Sequence, residues 1–319
     1  MKTKQIKIGC CLVVFLLAAC SGAPGGKTSD KEMDAVFFEM PLYSGKIPNL
    51  KDVPDGEIRS FDPQVDSLSS NVSRPTLKVF LPADTVRNRA AVIVCPGGGY
   101  HTLLTVREGS RVAQRFNEEG VAGFVLKYRH PNDANLEDKT IAPLQDAQRA
   151  IQIVREHAAE WGIDPNQIGI MGFSAGGHVA ATAGTHYDDP VIDNPQGTSL
   201  RPDFMLLIYP VISCRDGITH GGSRQMLLGA APTEEQIKRF SNEEQVSSTT
   251  PPTYLTHAND DTVVPIENSL LFYQALRRNG IPAELHIYSK GEHGYLQEPS
   301  YEEWMDDCVQ WMARNGWIK

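Results

Sequence analysis

Ser174 stands at the centre of Gly172-Phe173-Ser174-Ala175-Gly176-Gly177, a G-x-S-x-G pattern. It follows the apolar run Ile168–Met171 and precedes the helix-compatible run His178–Ala183. Strand, glycine-rich turn and helix in that order describe a nucleophile elbow, in which a turn too tight for side chains lifts a hydroxyl clear of a sheet at a helix N-terminus. A serine hydroxyl at its ordinary pKa is a poor nucleophile and needs a general base, itself oriented by a third group. Two downstream stretches offer both. Thr256-His257-Ala258-Asn259-Asp260-Asp261-Thr262-Val263-Val264-Pro265 carries two carboxylates where a strand-like run turns towards a helix. Lys290-Gly291-Glu292-His293-Gly294-Tyr295 holds His293 between glycines after the last strand-like run, free to reach the serine, so His293 is the expected base. Upstream, Val92-Ile93-Val94-Cys95-Pro96-Gly97-Gly98-Gly99-Tyr100 runs a strand into three glycines, whose bare backbone can approach a carbonyl oxygen and donate to an oxyanion. Together these are the parts of an acyl transfer.

The elements that must position them follow from hydropathy patterning. From about Thr76 short β-type runs alternate with helix-length amphipathic segments, which predicts an α/β architecture with a mostly parallel central sheet and helices on both faces. The expected strands are Leu77–Leu81, Ala91–Cys95, Val121–Leu126, Ile168–Met171, Phe204–Tyr209, Thr253–Thr256 and Ala283–Tyr288, near-continuous apolar runs suited to doubly covered strands. Leu144, Ala147, Ile151, Val154, Ala158 and Trp161 recur at three- and four-residue steps and mark one helix stripe ending before Gly162. Two excursions interrupt the alternation. His186–Pro202 is rich in Asp, Pro and Asn, and reads equally as surface decoration or as part of the active face; Ser213–Pro251 is expected to overhang that face.

The 319 residues carry 30 Lys and Arg against 39 Asp and Glu, a net charge of −9, with 41% hydrophobic residues. An acidic chain without a basic stripe is a poor match for phosphate backbones, which excludes nucleic acid as an expected partner. No H-E-x-x-H, clustered Cys and His, EF-hand loop or nucleotide-binding glycine pattern occurs, so neither a metal nor a cofactor is expected. Lys2, Lys4 and Lys7 precede the apolar run Ile8–Ala19, which is long enough for an export signal and short of the ~20 residues that span a bilayer. Leu17-Ala18-Ala19-Cys20 resembles the lipobox of bacterial lipoproteins. That resemblance implies a signal peptide over 1–19, a lipidated Cys20, a membrane anchor through that lipid alone and, with Ser21 following, a cell-envelope lipoprotein of the outer membrane. A small, polar tether is expected over 20–50 and the catalytic domain over 51–319. Cys95, Cys214 and Cys308 remain, too few for a disulfide scaffold but compatible with one bond and one free thiol.

A wider likeness joins these pieces. Pro96–Tyr100, Arg107-Glu108-Gly109, Val125–Arg129, Pro143–Ala147, Gly162–Pro165, Gly172–His178 and Gly291–Tyr295 together resemble the bacterial α/β-hydrolase esterases that deacylate plant cell-wall polysaccharide. Acetylxylan esterases and bifunctional acetyl and feruloyl esterases are among them, and the likeness runs from about Lys78 to the C-terminus. It implies the α/β-hydrolase fold and the order Ser174, Asp261, His293 for the triad. It favours Asp261 over Asp260, because Asp261 heads a D-x-x-V-P pattern like that at the acid position of this fold; Asp260 is left to loop hydrogen bonding. By matching positions, Gly98 and Gly99 with the amide of Ala175 form the oxyanion hole, with a shift of one residue towards Tyr100 left open. Pro96 stands where related loops have histidine. The implied reaction takes an acetyl or other acyl group from xylan through an acyl-enzyme, without a cofactor, and the substrate is an acylated polysaccharide or oligosaccharide. Small-molecule carboxylesterases and arylformamidases share the catalytic core, and a serine peptidase or an inactive glycan-binding protein are the remaining alternatives. Proteins of this likeness are sometimes labelled xylanase B, but cleaving a glycosidic bond normally needs two facing carboxylates. Tyr100, Tyr209 and the 213–251 excursion are candidate pocket walls, and Arg107 and Glu108 are expected to pair near the oxyanion loop without a catalytic role. His178 and His257 read as structural.

Overall fold

The computed structural model of the chain describes residues 36–63, 65–83 and 88–319. The expected signal peptide and Cys20 lie outside them. In chain order the described strands are β1 (Val36–Pro41), β2 (Ile58–Asp62), β3 (Asp66–Ser70), β4 (Thr76–Leu81), β5 (Ala91–Cys95), β6 (Thr102–Leu104), β7 (Ala122–Lys127), β8 (Ile168–Phe173), β9 (Met205–Ile208), β10 (Thr253–Ala258) and β11 (Ala283–Tyr288). The helices are α1 (Arg111–Glu118), α2 (Ala142–Glu156), α3 (Ser174–Thr185), α4 (Gly221–Leu228), α5 (Glu234–Arg239), α6 (Glu267–Arg278) and α7 (Tyr301–Arg314).

Apolar runs without alternation become the interior of the main sheet, in the order β1-β4-β7-β5-β8-β9-β10-β11. From β7 to β11 neighbours are parallel, whereas β4 runs antiparallel to both β7 and β1. Every residue of β5, β7, β8, β9 and β10 is buried, as strands covered on both faces require. The stripe Leu144, Ala147, Ile151 and Val154 of α2 packs into one core layer with Val179 and Ala180 of α3. Val112 and Phe116 of α1 and Trp304, Cys308 and Trp311 of α7 build the layer on the opposite face. Because these strands run parallel, their C-terminal ends lie along one edge, the place where open α/β sheets collect their ligands.

The folded body begins earlier than the sequence suggests. β1 pairs along its length with β4, Val36 opposite Leu81 and Pro41 opposite Thr76. Phe38 and Met40 pack on the core, and Leu42 is fully buried within it. Residues 43–48 are pinned by a buried ion pair: Arg129 Nη2 lies 2.8 Å from Asp146 Oδ1, Tyr43 donates to the same carboxylate, and Arg129 Nη1 donates to the Pro48 carbonyl. Residues 36–50 are therefore folded structure, not tether. Also unanticipated is a small antiparallel sheet, β2-β3-β6, whose strands are three to five residues long and take their register from each other. Cys95, Cys214 and Cys308 are buried free thiols, so the one-disulfide option does not occur among the described residues.

Candidate active site

The elbow forms where β8 passes directly into α3. Ser174 takes φ +51°, a left-handed conformation that a serine adopts only when its surroundings impose it. The imposition is visible at the flanking glycines. A Cβ on Gly172 would lie 2.1 Å from the Gly176 carbonyl oxygen, and one on Gly176 would lie 2.1 Å from that of Cys95 at the end of β5. No side chain fits at either position, which is the physical content of the G-x-S-x-G spacing. Ser174 is 6% exposed, with its Oγ 2.9 Å from His293 Nε2.

Asp261 leaves the end of β10 and turns its carboxylate inward. Oδ1 accepts the backbone N–H groups of Val263 at 2.9 Å and Val264 at 2.8 Å. Oδ2 lies 2.7 Å from His293 Nδ1 and 3.1 Å from His257 Nε2. Burial works against ionisation of Asp261, but hydrogen bonds from His257, His293 and Val264 outweigh it and hold the carboxyl well below the usual carboxylate range. A carboxylate on His293 Nδ1 sets the tautomer, with the proton on Nδ1 and the Nε2 lone pair facing the Ser174 hydroxyl. Asp260 plays a different part, since its Oδ1 accepts the Glu292 N–H at 2.9 Å and ties the acid loop to the histidine loop.

His257 is a residue that the sequence pattern places among the structural ones. Its Nε2 faces both Asp261 Oδ2 and the Val264 carbonyl at 3.0 Å. A carbonyl can only accept, so Nε2 carries the proton and donates to both, while Nδ1 at 2.8 Å accepts the Ser269 hydroxyl of α6. The signal available in the sequence was its spacing, four residues before Asp261 across a strand end.

In the loop after β5, Gly98 accepts through its carbonyl from the amides of His101 and Thr102, which folds the loop back. Gly97 N–H is taken by the Glu108 carboxylate at 2.8 Å. The amides of Gly98, Gly99 and Ala175 have no acceptor among the described residues, so three donors near the elbow stay free. Of the candidate walls, Tyr100 turns into the core instead, its hydroxyl 2.8 Å from His178 Nδ1, because His178 Nε2 is committed to the Phe240 carbonyl and leaves Nδ1 to accept. Tyr209 does border the triad, its ring edge-on to the His293 imidazole with 5.0 Å between centroids. The 213–251 excursion reaches the oxyanion loop through His220: a Cβ on Gly99 would lie 3.8 Å from the His220 ring. Burial, and after it the nearby His293 and His101, lower the His220 pKa. The 186–202 excursion instead lines a 660 Å³ cavity against Tyr43 and α2, with no triad residue in its wall.

The arrangement can pass a proton from a hydroxyl to a held imidazole beside unpaired backbone donors. Its relatives are esterases and carbohydrate-active proteins. An acetyl ester-xyloside bifunctional hydrolase from Caldicellulosiruptor lactoaceticus is 40% identical in sequence, matches 88% of this chain and 97% of its own, and superposes with a TM-score of 0.72. An acetylxylan esterase of Xylanibacter ruminicola is 36% identical over 230 residues, 71% of this chain and 45% of that protein. An endo-1,4-beta-xylanase B of Butyrivibrio fibrisolvens is 36% identical over 275 residues, 82% of this chain and 42% of that protein. The chain thus spans less than half the length of these two curated relatives. The BD-FAE family model matches residues 77–276, the stretch that runs from β4 through the elbow and the acid loop into α6. With the α/β-hydrolase sheet, the elbow and this match in agreement, the chain belongs to the BD-FAE family of α/β-hydrolases.

Proposed function

We propose that the protein is a serine esterase that removes acetyl groups from xylan-type polysaccharide. The observation that carries the chemistry is the relay itself, with His293 Nε2 2.9 Å from Ser174 Oγ and Nδ1 2.7 Å from Asp261 Oδ2. Ser174 attacks the acetyl carbonyl as His293 takes its proton; the oxyanion rests on the amides of Gly98, Gly99 and Ala175; His293 then protonates the departing sugar hydroxyl. Water, activated by His293, attacks the acyl-enzyme and releases acetate. The substrate class is supported by the relatives, one named for acetylxylan and one for an acetyl ester and a xyloside. Glycosidic cleavage is disfavoured because the Asp261 and Glu108 carboxylates are buried with their oxygens taken by protein donors.

The test is acetate release from acetylated xylan, run beside p-nitrophenyl acetate and methyl ferulate, for the wild type and Ser174→Ala. Polysaccharide deacetylation that falls by ~10³-fold or more in the variant supports both the nucleophile and the substrate. Turnover of p-nitrophenyl acetate alone would leave a small-molecule carboxylesterase. We further propose, from the basic, apolar and Cys20-terminated pattern of residues 1–20, export to the cell envelope and lipid attachment at Cys20, with an outer-membrane destination. Incorporation of labelled palmitate that is lost in Cys20→Ala checks it.

A further inference from the structure

The turn that follows β6 is wound one residue too wide. Val106–Ser110 is a π-helical turn, closed by a hydrogen bond from Ser110 N–H to the Thr105 carbonyl, and Glu108 within it departs from helical geometry at φ −102°, ψ 16°. Turns of this kind concentrate at functional sites because the extra residue re-aims a side chain. The buried Asp66 carboxylate anchors the start of the turn by accepting the N–H groups of Val106 and Arg107. As a result two adjacent side chains point towards two different catalytic loops.

Glu108, 4% exposed, accepts the Gly97 N–H with Oε2 at 2.8 Å and the Tyr209 hydroxyl with Oε1 at 3.0 Å. A Cβ on Gly97 would lie 2.7 Å from Glu108 Oε2 and 2.9 Å from Ser174 Cβ, so the oxyanion loop is held in contact between the carboxylate and the elbow. Arg107 reaches the other way, its Nη2 donating at 2.7 Å to the carbonyl of Gly294, the residue after His293. Tyr209 completes the link, with its hydroxyl on Glu108 and its ring against His293. Burying a carboxylate is costly, and here burial outweighs Arg107, Gly97 and Tyr209 and pushes the Glu108 pKa up. Donors to an oxyanion act only if they are already in place, and three successive glycines lose more chain entropy on ordering than any other tripeptide.

We propose that Arg107 and Glu108 are positioning residues that brace the oxyanion loop to the histidine loop, so that one π-helical turn aligns both the oxyanion donors and the base. Glu108 diverts the Gly97 amide away from substrate and aims the following amides; Arg107 holds the backbone just beyond His293. The inference rests on the esterase reading for its rate effects but not for its structural ones.

The experiment compares full-length wild type, Glu108→Ala, Glu108→Gln and Arg107→Ala for kcat and KM on p-nitrophenyl acetate. Local amide hydrogen exchange and thermal melts are followed alongside. A glutamine can still accept the Gly97 N–H. The expected pattern is a kcat loss of about 10²-fold in Glu108→Ala with KM within about threefold, recovery to within about tenfold of wild type in Glu108→Gln, and about a tenfold loss in Arg107→Ala. Exchange should rise over 97–100 in Glu108→Ala and over 291–295 in Arg107→Ala, with the rest of the sheet still protected. Glu108→Gln as impaired as Glu108→Ala, or unchanged kcat and exchange in the alanine variants, overturns the brace. If Glu108→Ala fails to fold, Glu108→Gln and Arg107→Ala carry the comparison. Should wild type hydrolyse no ester while both loops loosen in the variants, the esterase reading falls and the brace stands. Equal ester turnover in wild type and variants with unchanged exchange fells the brace alone.

Discussion

Asp261, at the end of β10, and Glu108, on the turn after β6, are both buried carboxylates within reach of the same histidine loop, yet their surroundings push them in opposite directions. Two backbone amides and two imidazoles donate to Asp261, which is held ionised far below the usual range. Glu108 receives one amide and one hydroxyl, with the Arg107 guanidinium 3.9 Å away, and burial wins. Glu108 is the more deeply desolvated of the two and has fewer donors, and each hydrogen bond to a charged group recovers only part of its lost hydration. The acid loop therefore keeps a permanent charge to orient His293. The braced turn carries a carboxyl whose ionised form burial disfavours, set beside the glycine loop that it orders.

That contrast can be broken most sharply at Asp261. Asp261→Asn keeps the shape but allows the wrong His293 tautomer, and kcat should fall by about 10⁴-fold in steady-state assays at pH 7, while Asp260→Asn changes it by less than about threefold. A loss of similar size at Asp260 would reverse the assignment of the acid. Removing one donor tests the count itself: His257→Ala should lower kcat by about tenfold, with His257→Gln recovering part of the loss through its own N–H. No change in His257→Ala would show that the amides of Val263 and Val264 suffice. The smallest effects lie in stability against pH, where the two carboxylates should have opposite signs. Asp261 has a depressed folded pKa, so its contribution is present above the ordinary Asp value of about 3.9 and is lost as pH falls below it. Urea melts should therefore show the deficit of Asp261→Asn growing as pH rises to about 4 and then levelling. Glu108 has a raised folded pKa, so its contribution is present below the ordinary Glu value of about 4.3 and is lost as pH rises through the folded value. The deficit of Glu108→Gln should shrink with rising pH, and parallel slopes in the two variants would erase the distinction.

Much of this site was legible in the chain because each triad residue follows an apolar run by a few positions. Ser174 comes directly after β8, Asp261 three residues after β10 and His293 five after β11. Local patterning places a strand end, and parallel winding brings strand ends together. The expected strand Ala283–Tyr288 coincides with β11, and the α2 stripe is buried as its periodicity requires. What escaped was set by partners distant in sequence. β1 alternates weakly before a segment rich in proline and glycine, and only β4 completes it. The strands β2 and β3 have little apolar content of their own, β2 being exposed along its length, so nothing local marks them.

The residue types, their order and their attachment to strand ends were thus determined by the sequence, since elbow glycines, apolar runs and loop histidines act through near neighbours. The surroundings of each charge were decided only in three dimensions. Glu108 meets Tyr209 across 101 positions, and Arg107 meets Gly294 across 187. No periodicity records such contacts, because burial and hydrogen-bond donors arrive from whichever elements the fold packs alongside, and the protonation preference of a carboxylate is fixed by those neighbours rather than by its own place in the chain.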